Sequence, residues 1–329
     1  MANPLDILVL AEAEEDGLTS LSFEMLGCAR RLADDAGGTV SAVLFSADAG
    51  EAGADLVARG ADKVTVVESE LCEPYRADAW LPDLARLATE SGAGLILIGH
   101  GSTGGDLAPR LAFRLDGGIA TGCEEIARED DKILLTRACY GGKAREVVSF
   151  ADGPSIATVK PKSQAPLAAD DGRSGEIEAI ALSVTDQDIR TKVVAREREE
   201  NAGPRLENAK AIVAGGGGLG GPEGFEAAAE LADALGGAVG ASRVACDMGW
   251  CPSGYQIGLS GKTVAPELYI AVGISGAGQH MAGCANAKTI VTINNDPEAP
   301  IFNFSKFGVI GGYEELLPAL AQEIAKLKG

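Results

Sequence analysis

Histidine is nearly missing from this chain, which has only His100 and His280 among its 329 residues. That scarcity excludes a His-rich metal site, and a protease-like triad would have to be built on one of those two positions. Paired Cys-x-x-Cys spacing is missing as well. The seven cysteines (Cys28, Cys72, Cys123, Cys139, Cys246, Cys251 and Cys284) leave an odd one over. This fits packing thiols in a reducing compartment rather than a disulfide framework or a metal cluster, and Cys246 and Cys251, the nearest pair, are read the same way. Basic residues are few: 28 Lys and Arg stand against 48 Asp and Glu, a net charge of −20. So acidic a surface repels polyanions and excludes a nucleic-acid partner held through phosphates. No apolar run approaches the ~20 residues that span a bilayer, and no basic stretch precedes the first apolar run. The expectation is a cytoplasmic protein with no transmembrane segment and no export signal.

What the chain does have is alternation. The segment ILVLAE reads as a buried strand and SLSFEMLGCARRLADDAGG as an amphipathic helix stopped by glycines, followed by TVSAVLF as a strand. The same order repeats through EAGADLVARGA, KVTVVES, DAWLPDLARLATESGA and GLILIGH, which predicts a parallel sheet with helices on both faces. From Ile119 to Thr158 the segments KILLTRAC, AREVVSF and PSIATV are shorter and predict added strands or hairpins. Charge then dominates from about Thr185 to Asn208, with Gly203-Pro204 as punctuation, and this stretch is the linker candidate. The expected domains are 1–204 and 205–329. The first carries 20 basic and 36 acidic residues, net −16, leaving −4 for the second. An anionic ligand therefore meets a weaker repulsion in the second domain.

Beyond the linker, AKAIVAGGGGLGGPEGFEAAAELADALGGAVGASR reads as strand, glycine loop, helix and strand. The densest signal runs from Pro266 to Asn294. There an apolar run (Leu268 to Val272) breaks into Gly273-Ile274-Ser275-Gly276-Ala277-Gly278-Gln279-His280, and a second run (Thr289 to Ile293) ends at Asn294. This is a βαβ unit, and its turn aims backbone N–H groups and the positive end of a helix dipole at its occupant, so a phosphate-bearing cofactor is expected. At the C-terminus, GVIGGYEELLPALAQEIAKLKG reads as a short strand and an amphipathic helix. Its Leu316, Leu317, Leu320, Ile324 and Leu327 are read as a core stripe.

VAPELYIAVGISGAGQHMAG with INNDPEAPIF resembles the flavin-binding signature of the electron transfer flavoprotein alpha subunit. The similarity extends to Val239-Gly240-Ala241-Ser242-Arg243 and Ser260-Gly261-Lys262, and more weakly to DLAPRLAFRLDGG and CYGGKA in the first half. The resemblance implies an α/β protein with a Rossmann-like first domain on a parallel sheet and a second, FAD-binding α/β domain. It implies an electron carrier without substrate turnover, hence no catalytic residue, that works with a beta subunit, and the histidine and cysteine pattern gives no metal site. Electrons would come from a flavin dehydrogenase such as an acyl-CoA dehydrogenase of fatty acid oxidation, and leave for a downstream acceptor. Two alternatives stay open: a flavin-bifurcating relative with a second FAD in the beta subunit, and a stand-alone NAD- or FAD-dependent oxidoreductase.

The same resemblance implies roles by residue. Arg243, read alone a surface or structural arginine, would lie against the isoalloxazine beside Ser242. Ser260, where the family usually has threonine, would donate to the ring beside Gly261 and Lys262. Ser275, Gly276, Ala277 and Gly278 would serve the pyrophosphate, and Gln279 the ribityl chain or ring edge. His280, read alone a core or helix-surface histidine, would meet the flavin C2=O. Asn294, otherwise a turn asparagine, would hold the adenosine portion. The family commonly places an arginine at Gly217, and aspartates at Lys306 and Gly312, so the tail end of the site departs from the pattern more than the ring end. His100, Trp80 and Trp250 receive no functional role.

Overall fold

A computed structural model describes residues 4–14, 17–48, 50–142, 144–195 and 205–328. The chain forms two compact units, 1–196 and 197–329. The expected domain boundary at Pro204/Arg205 falls at the edge of a stretch, 196–204, outside the described residues.

The first unit is built on β1 (Ile7–Ala11), whose five residues are all buried. Burial on both sides follows from the strand period of two. Ile7, Val9 and Ala11 enter one apolar cluster, while Leu8 and Leu10 enter the other. A short hairpin, β2 (Ala13–Glu14) with β3 (Gly17–Leu18), leads into α1 (Ser20–Ala36). Thr19 caps that helix by accepting from the Ser22 N–H at 3.2 Å, and Gly37 ends it in the left-handed region. The expected alternation then appears as β4 (Val40–Ser46), α2 (Ala52–Ala58), β5 (Lys63–Glu68), α3 (Ala77–Ser91), β6 (Leu95–Gly99) and α4 (Ser102–Leu115). The shorter segments become β7 (Gly118–Glu129), β8 (Lys132–Cys139), β9 (Ala144–Val148) and β10 (Ser155–Val159).

These strands join one sheet in the order β11-β5-β4-β1-β6-β10-β7-β8-β9, in which β7, β8 and β9 pair antiparallel and the remaining pairs are parallel. The strand missed in the sequence is β11 (Glu176–Ala181). It is largely exposed, and it is recruited as an edge strand parallel to β5 from more than a hundred residues away. Part of the charged linker candidate is also docked. The Arg190 N–H donates to Asp78 Oδ2 at 3.2 Å, and Val184 and Ile189 pack on the apolar cluster around Trp80. Trp80 itself stacks on Phe45 at 4.7 Å and donates from Nε1 to the Cys72 carbonyl, so its role is packing.

The second unit has a five-stranded parallel sheet made of β12 (Ala211–Gly215), β13 (Ala238–Ala241), β14 (Leu268–Val272), β15 (Ile290–Asn294) and β16 (Phe307–Ile310). The spatial order is β13-β12-β14-β15-β16. Its helices are α5 (Glu223–Leu235), α6 (Arg243–Asp247), α7 (Gly278–Cys284) and α8 (Tyr313–Lys328). Phe225, Ala228, Leu231 and Ala232 of α5 pack with Leu317 of α8 on one face, while Met281 and Cys284 of α7 lie in the cluster of the other.

The stripe expected on α8 is corrected by the structure. Leu317 is buried and Leu316 and Ile324 are half-buried, but Leu320 and Leu327 are exposed. β16 is the edge of the sheet, and all four of its residues are exposed.

Candidate functional site

Strand order alone locates a crevice in the second unit. From β12 the chain goes first to β13 on one side and then crosses to β14 on the other, so the connections diverge at the carboxyl ends of β12 and β14. Open α/β sheets bind ligands at such a switch point, outside the carboxyl edge. The loops there are 215–221 and 273–280, the two glycine-rich segments of the sequence.

Close backbone approach explains the glycines. The Gly216 N–H donates to Val272 O and the Gly218 N–H to Gly273 O, each at 2.9 Å. A Cβ on Gly216 would collide with the Gly273 carbonyl, and one on Gly218 would stand 2.7 Å from Gly273 Cα. The second loop turns at Gly276, with φ +85°, where a Cβ would lie 2.5 Å from the Ile301 backbone nitrogen. Gly217 differs, since a Cβ there meets only Val244 Cγ1 at 3.5 Å, an ordinary contact.

The contrast gives a prediction. Gly276→Ala should lower the chemical denaturation midpoint by the equivalent of about 2 kcal/mol or more, from left-handed strain plus overlap with backbone, whereas Gly217→Ala should shift it by under about 0.5 kcal/mol. Equal shifts would remove the distinction.

Around this crevice the structure gathers most of the residues expected from the sequence. Ser242 starts α6 at the end of β13, and its N–H donates to Gly215 O at 2.9 Å. Arg243 follows and pairs with Asp247 at 3.2 Å, with both side chains well exposed. Such a pair is worth ~0–1 kcal/mol, so the guanidinium is easily recruited elsewhere. Ser275 is tied by its carbonyl to the Ile301 N–H, and the Gln279 carbonyl to the Leu259 N–H at 2.7 Å, which joins the 256–262 segment to the same edge. Within that segment Gln256 Nε2 donates to Ser260 Oγ at 2.9 Å, and a Cβ on Gly261 would meet the Gln256 carbonyl at 2.5 Å. Ala277 and Gly278 open α7, whose first N–H groups have no acceptor within the helix.

Two expected residues are engaged elsewhere, and a third, Gly312, has no side chain to offer. Lys262 Nζ turns to Glu207 at 3.2 Å. Asn294 donates from Nδ2 to Ile274 O at 2.9 Å and accepts from the Asp296 N–H at 3.0 Å, which is the work of a turn asparagine at the strand end. Gly312 follows β16 beside Asn295, and a Cβ there would meet only the flexible end of Glu314 at 2.6 Å.

His280 is buried, and burial depresses its pKa to about 4 despite a weak opposing contact with the Ile257 backbone, so the ring is neutral at neutral pH. Its Nε2 lies 2.9 Å from the hydroxyl of Tyr269, which is fully buried in β14. The sequence reading passed over Tyr269, yet one tyrosine inside an apolar strand is a usable signal, because a buried hydroxyl requires a partner. Two buried side-chain atoms of this neighbourhood have no protein hydrogen-bond partner: Ser242 Oγ and His280 Nδ1. Polar atoms hidden from water without a partner are costly, and their presence here is what a polar ligand would relieve.

Outside the crevice, His100 Nδ1 lies 2.9 Å from Thr158 Oγ1, which also accepts from the Gly122 N–H. This agrees with a structural reading. Among the described residues no group of three or more His, Cys, Asp or Glu side chains could hold a metal ion, and no helix is long and apolar enough to cross a membrane.

Comparison with known proteins adds to this geometry. Residues 7–185 match the family model described as electron transfer flavoprotein domain, and residues 205–285 match the electron transfer flavoprotein FAD-binding domain. The chain is 42% identical over 325 residues to an electron transfer flavoprotein subunit alpha of Thermoanaerobacterium thermosaccharolyticum, with 98% of each chain covered. It is 39% identical over 321 residues to the corresponding Bacillus subtilis subunit, again with 98% of each covered. It is 37% identical over 325 residues to the protein FixB of Azotobacter vinelandii, with 96% of this chain and 90% of that one covered.

Proposed function

Because the chain belongs to the electron transfer flavoprotein alpha-subunit family and its second unit carries that family's FAD-binding domain, we propose that FAD sits at the β12/β14 crevice. The residues present fit the group. The two glycine loops lie at the carboxyl ends of β12 and β14, the first N–H groups of α7 have no acceptor within the helix, and the unpartnered Ser242 Oγ and His280 Nδ1 offer buried polar atoms to a ligand. The observation that carries the proposal is the convergence of these atoms and loops on one switch point.

In this reading Ser275, Gly276, Ala277 and Gly278 hold the phosphates, Gln279, Ser260 and Gly261 orient the rest, and Lys262 and Asn294 brace the loops. Bound FAD supplies the capacity to take up a pair of electrons and give them back singly. The chain's own contribution is electrostatic. Arg243 keeps a permanent positive charge beside the site, and His280 presents a neutral donor. With Nε2 accepting from the Tyr269 hydroxyl, the ring proton sits on Nδ1, the atom that lacks a protein partner.

The chain acts as the alpha subunit of an electron transfer flavoprotein, and the partner implied by that role is a beta subunit. A heterodimer taking electrons from an acyl-CoA dehydrogenase in the cytoplasm is the proposed setting. Its test is co-expression with the neighbouring subunit, followed by flavin extraction and reductive titration. About one FAD per heterodimer, lost on substitution of the crevice residues, supports the proposal. A colourless pair, or FAD that persists after those substitutions, overturns the site. A second FAD held by the beta subunit would shift the reading to the bifurcating alternative.

Gly217 gives a sharper check. Since a side chain fits there, Gly217→Arg should restore the cation common in the family and tighten FAD by about threefold to tenfold at low salt, an effect of ~1 kcal/mol. Unchanged affinity would remove position 217 from the phosphate site.

A further inference from the structure

We infer that Cys246 and Cys251 form a site of covalent modification, an intramolecular disulfide made reversibly by thiol–disulfide exchange with a low-molecular-weight disulfide of the glutathione class. Their Sγ atoms stand 3.6 Å apart, and both side chains are partly exposed. The other partly exposed cysteine is Cys139, which lies in the first unit, and Cys28, Cys72, Cys123 and Cys284 are buried. A disulfide needs the sulfurs at about 2.05 Å, so they must close by roughly 1.5 Å. The connecting residues permit this. Gly249 sits between them at φ +72°, and its N–H and that of Trp250 close the end of α6 onto the Cys246 and Ala245 carbonyls at 2.9 and 3.1 Å. The turn therefore already faces one cysteine toward the other, with the sulfurs 3.6 Å apart.

The exchange balances with the small disulfide as its two-electron oxidant. One thiol loses its proton and attacks a sulfur of the small disulfide, expelling one small thiolate and leaving a mixed disulfide. The second thiol then attacks the protein sulfur of that adduct and expels the other thiolate. The two protein protons end on the two released thiols; the pair Cys246 and Cys251 is oxidised by two electrons and the small disulfide is reduced by two. Order of attack follows from surroundings. Cys251 is held protonated in the reduced pair, its pKa pushed up to about 12 by burial and by the neighbouring Cys246, so it is the poorer first nucleophile; once Cys246 is tied up in the mixed disulfide its charge is gone and Cys251 can attack in the second step. Cys246, on α6, is assigned the first step. One consequence rests on the FAD reading above: the bond would fasten the short helix that bears Arg243. The bond itself does not rest on it.

The experiment uses the chain co-purified with its partner subunit, treated with glutathione disulfide and then alkylated and digested. Expected is a mass loss of two hydrogens confined to the peptide holding Cys246 and Cys251, reversed by dithiothreitol. Cys251→Ser should instead trap a glutathione adduct at Cys246. The inference is overturned if both cysteines of the wild-type complex stay open to alkylation, if the wild type stops at the adduct, or if Cys246→Ser still loses two hydrogens. Flavin content, read separately by absorbance, tests the cofactor site independently of these outcomes.

Discussion

Replacing Arg243 with alanine should lower the midpoint potential of the bound FAD by about 30–60 mV, equivalent to about 1.4–3 kcal/mol for a two-electron couple. Two unit charges roughly 4 Å apart interact by about 4 kcal/mol at the effective dielectric near a protein surface, and exposure and salt reduce that figure. Arg243 is exposed and shares its charge with Asp247 at 3.2 Å, so the lower part of the range applies at physiological ionic strength. The same pair predicts a change of opposite sign. Asp247→Asn frees the guanidinium from its carboxylate and should raise the potential, while Arg243→Lys should keep the charge but lose the planar fork and recover part of the loss. Potentials from a spectroelectrochemical titration of the co-purified complex decide this. If Arg243→Ala and the wild type titrate alike with FAD fully bound, the arginine has no electrostatic role.

Arg243 and Asp247 also illustrate what could and could not be read from the chain before its structure. The i, i+4 pair itself lies on α6, a helix not predicted from the sequence, whereas the legible relations were local ones of clear periodicity: the alternating strands and helices of the first unit, and the strand–glycine–helix order at Leu268 to His280. Their physical basis is periodicity, which a linear sequence displays directly. Illegible features were those that depend on distance along the chain. β11 has weak apolar character and earns its place by pairing with β5, so nothing in Glu176–Ala181 alone announces a strand. On α8, helical spacing marks a face but not how far a neighbour covers it: Leu317 is buried while Leu320 and Leu327 are exposed.

The candidate site divides in the same way. Its glycines and its place after β14 follow from the sequence. That Lys262 is drawn to Glu207, and Asn294 to the Ile274 carbonyl, follows only from the folded path of the chain. The approach of Cys246 to Cys251 lies between these cases: the spacing was visible, but the turn at Gly249 that brings the sulfurs to 3.6 Å was not.

Acidification should destabilise the second unit through His280. Its pKa of about 4 in the folded chain lies below the ordinary value near 6.5, because burial disfavours the charged ring. Between those two pH values the unfolded chain binds the proton more readily than the folded one. The stabilisation is therefore complete above about pH 6.5 and is lost as the pH falls toward 4. From pH 7 to pH 5 the loss amounts to about 2 kcal/mol for this one group. Protonation would also turn Nε2 into a donor, so the Tyr269 hydroxyl, kept protonated by a pKa that burial pushes far up, would have to give up donating to His280 and accept instead. Glu12 and Glu24 of the first unit carry raised pKa values, chiefly from burial, and work in the opposite sense, gaining stability on acidification. The measurement must therefore isolate the second unit. Urea unfolding followed by Trp250 fluorescence in a Trp80→Phe background does so, at pH 7 and at pH 5. The expected result is a midpoint that falls with pH in the parent and does so less, by about 2 kcal/mol, in His280→Gln, whose amide does not titrate. Tyr269→Phe provides the second arm if the glutamine variant folds poorly: without the hydroxyl competing as a donor, protonation should be easier and the acid loss smaller. Parallel pH dependence in all three proteins would show that His280 is not held neutral by its burial, and the donor assigned to Nδ1 would go with it.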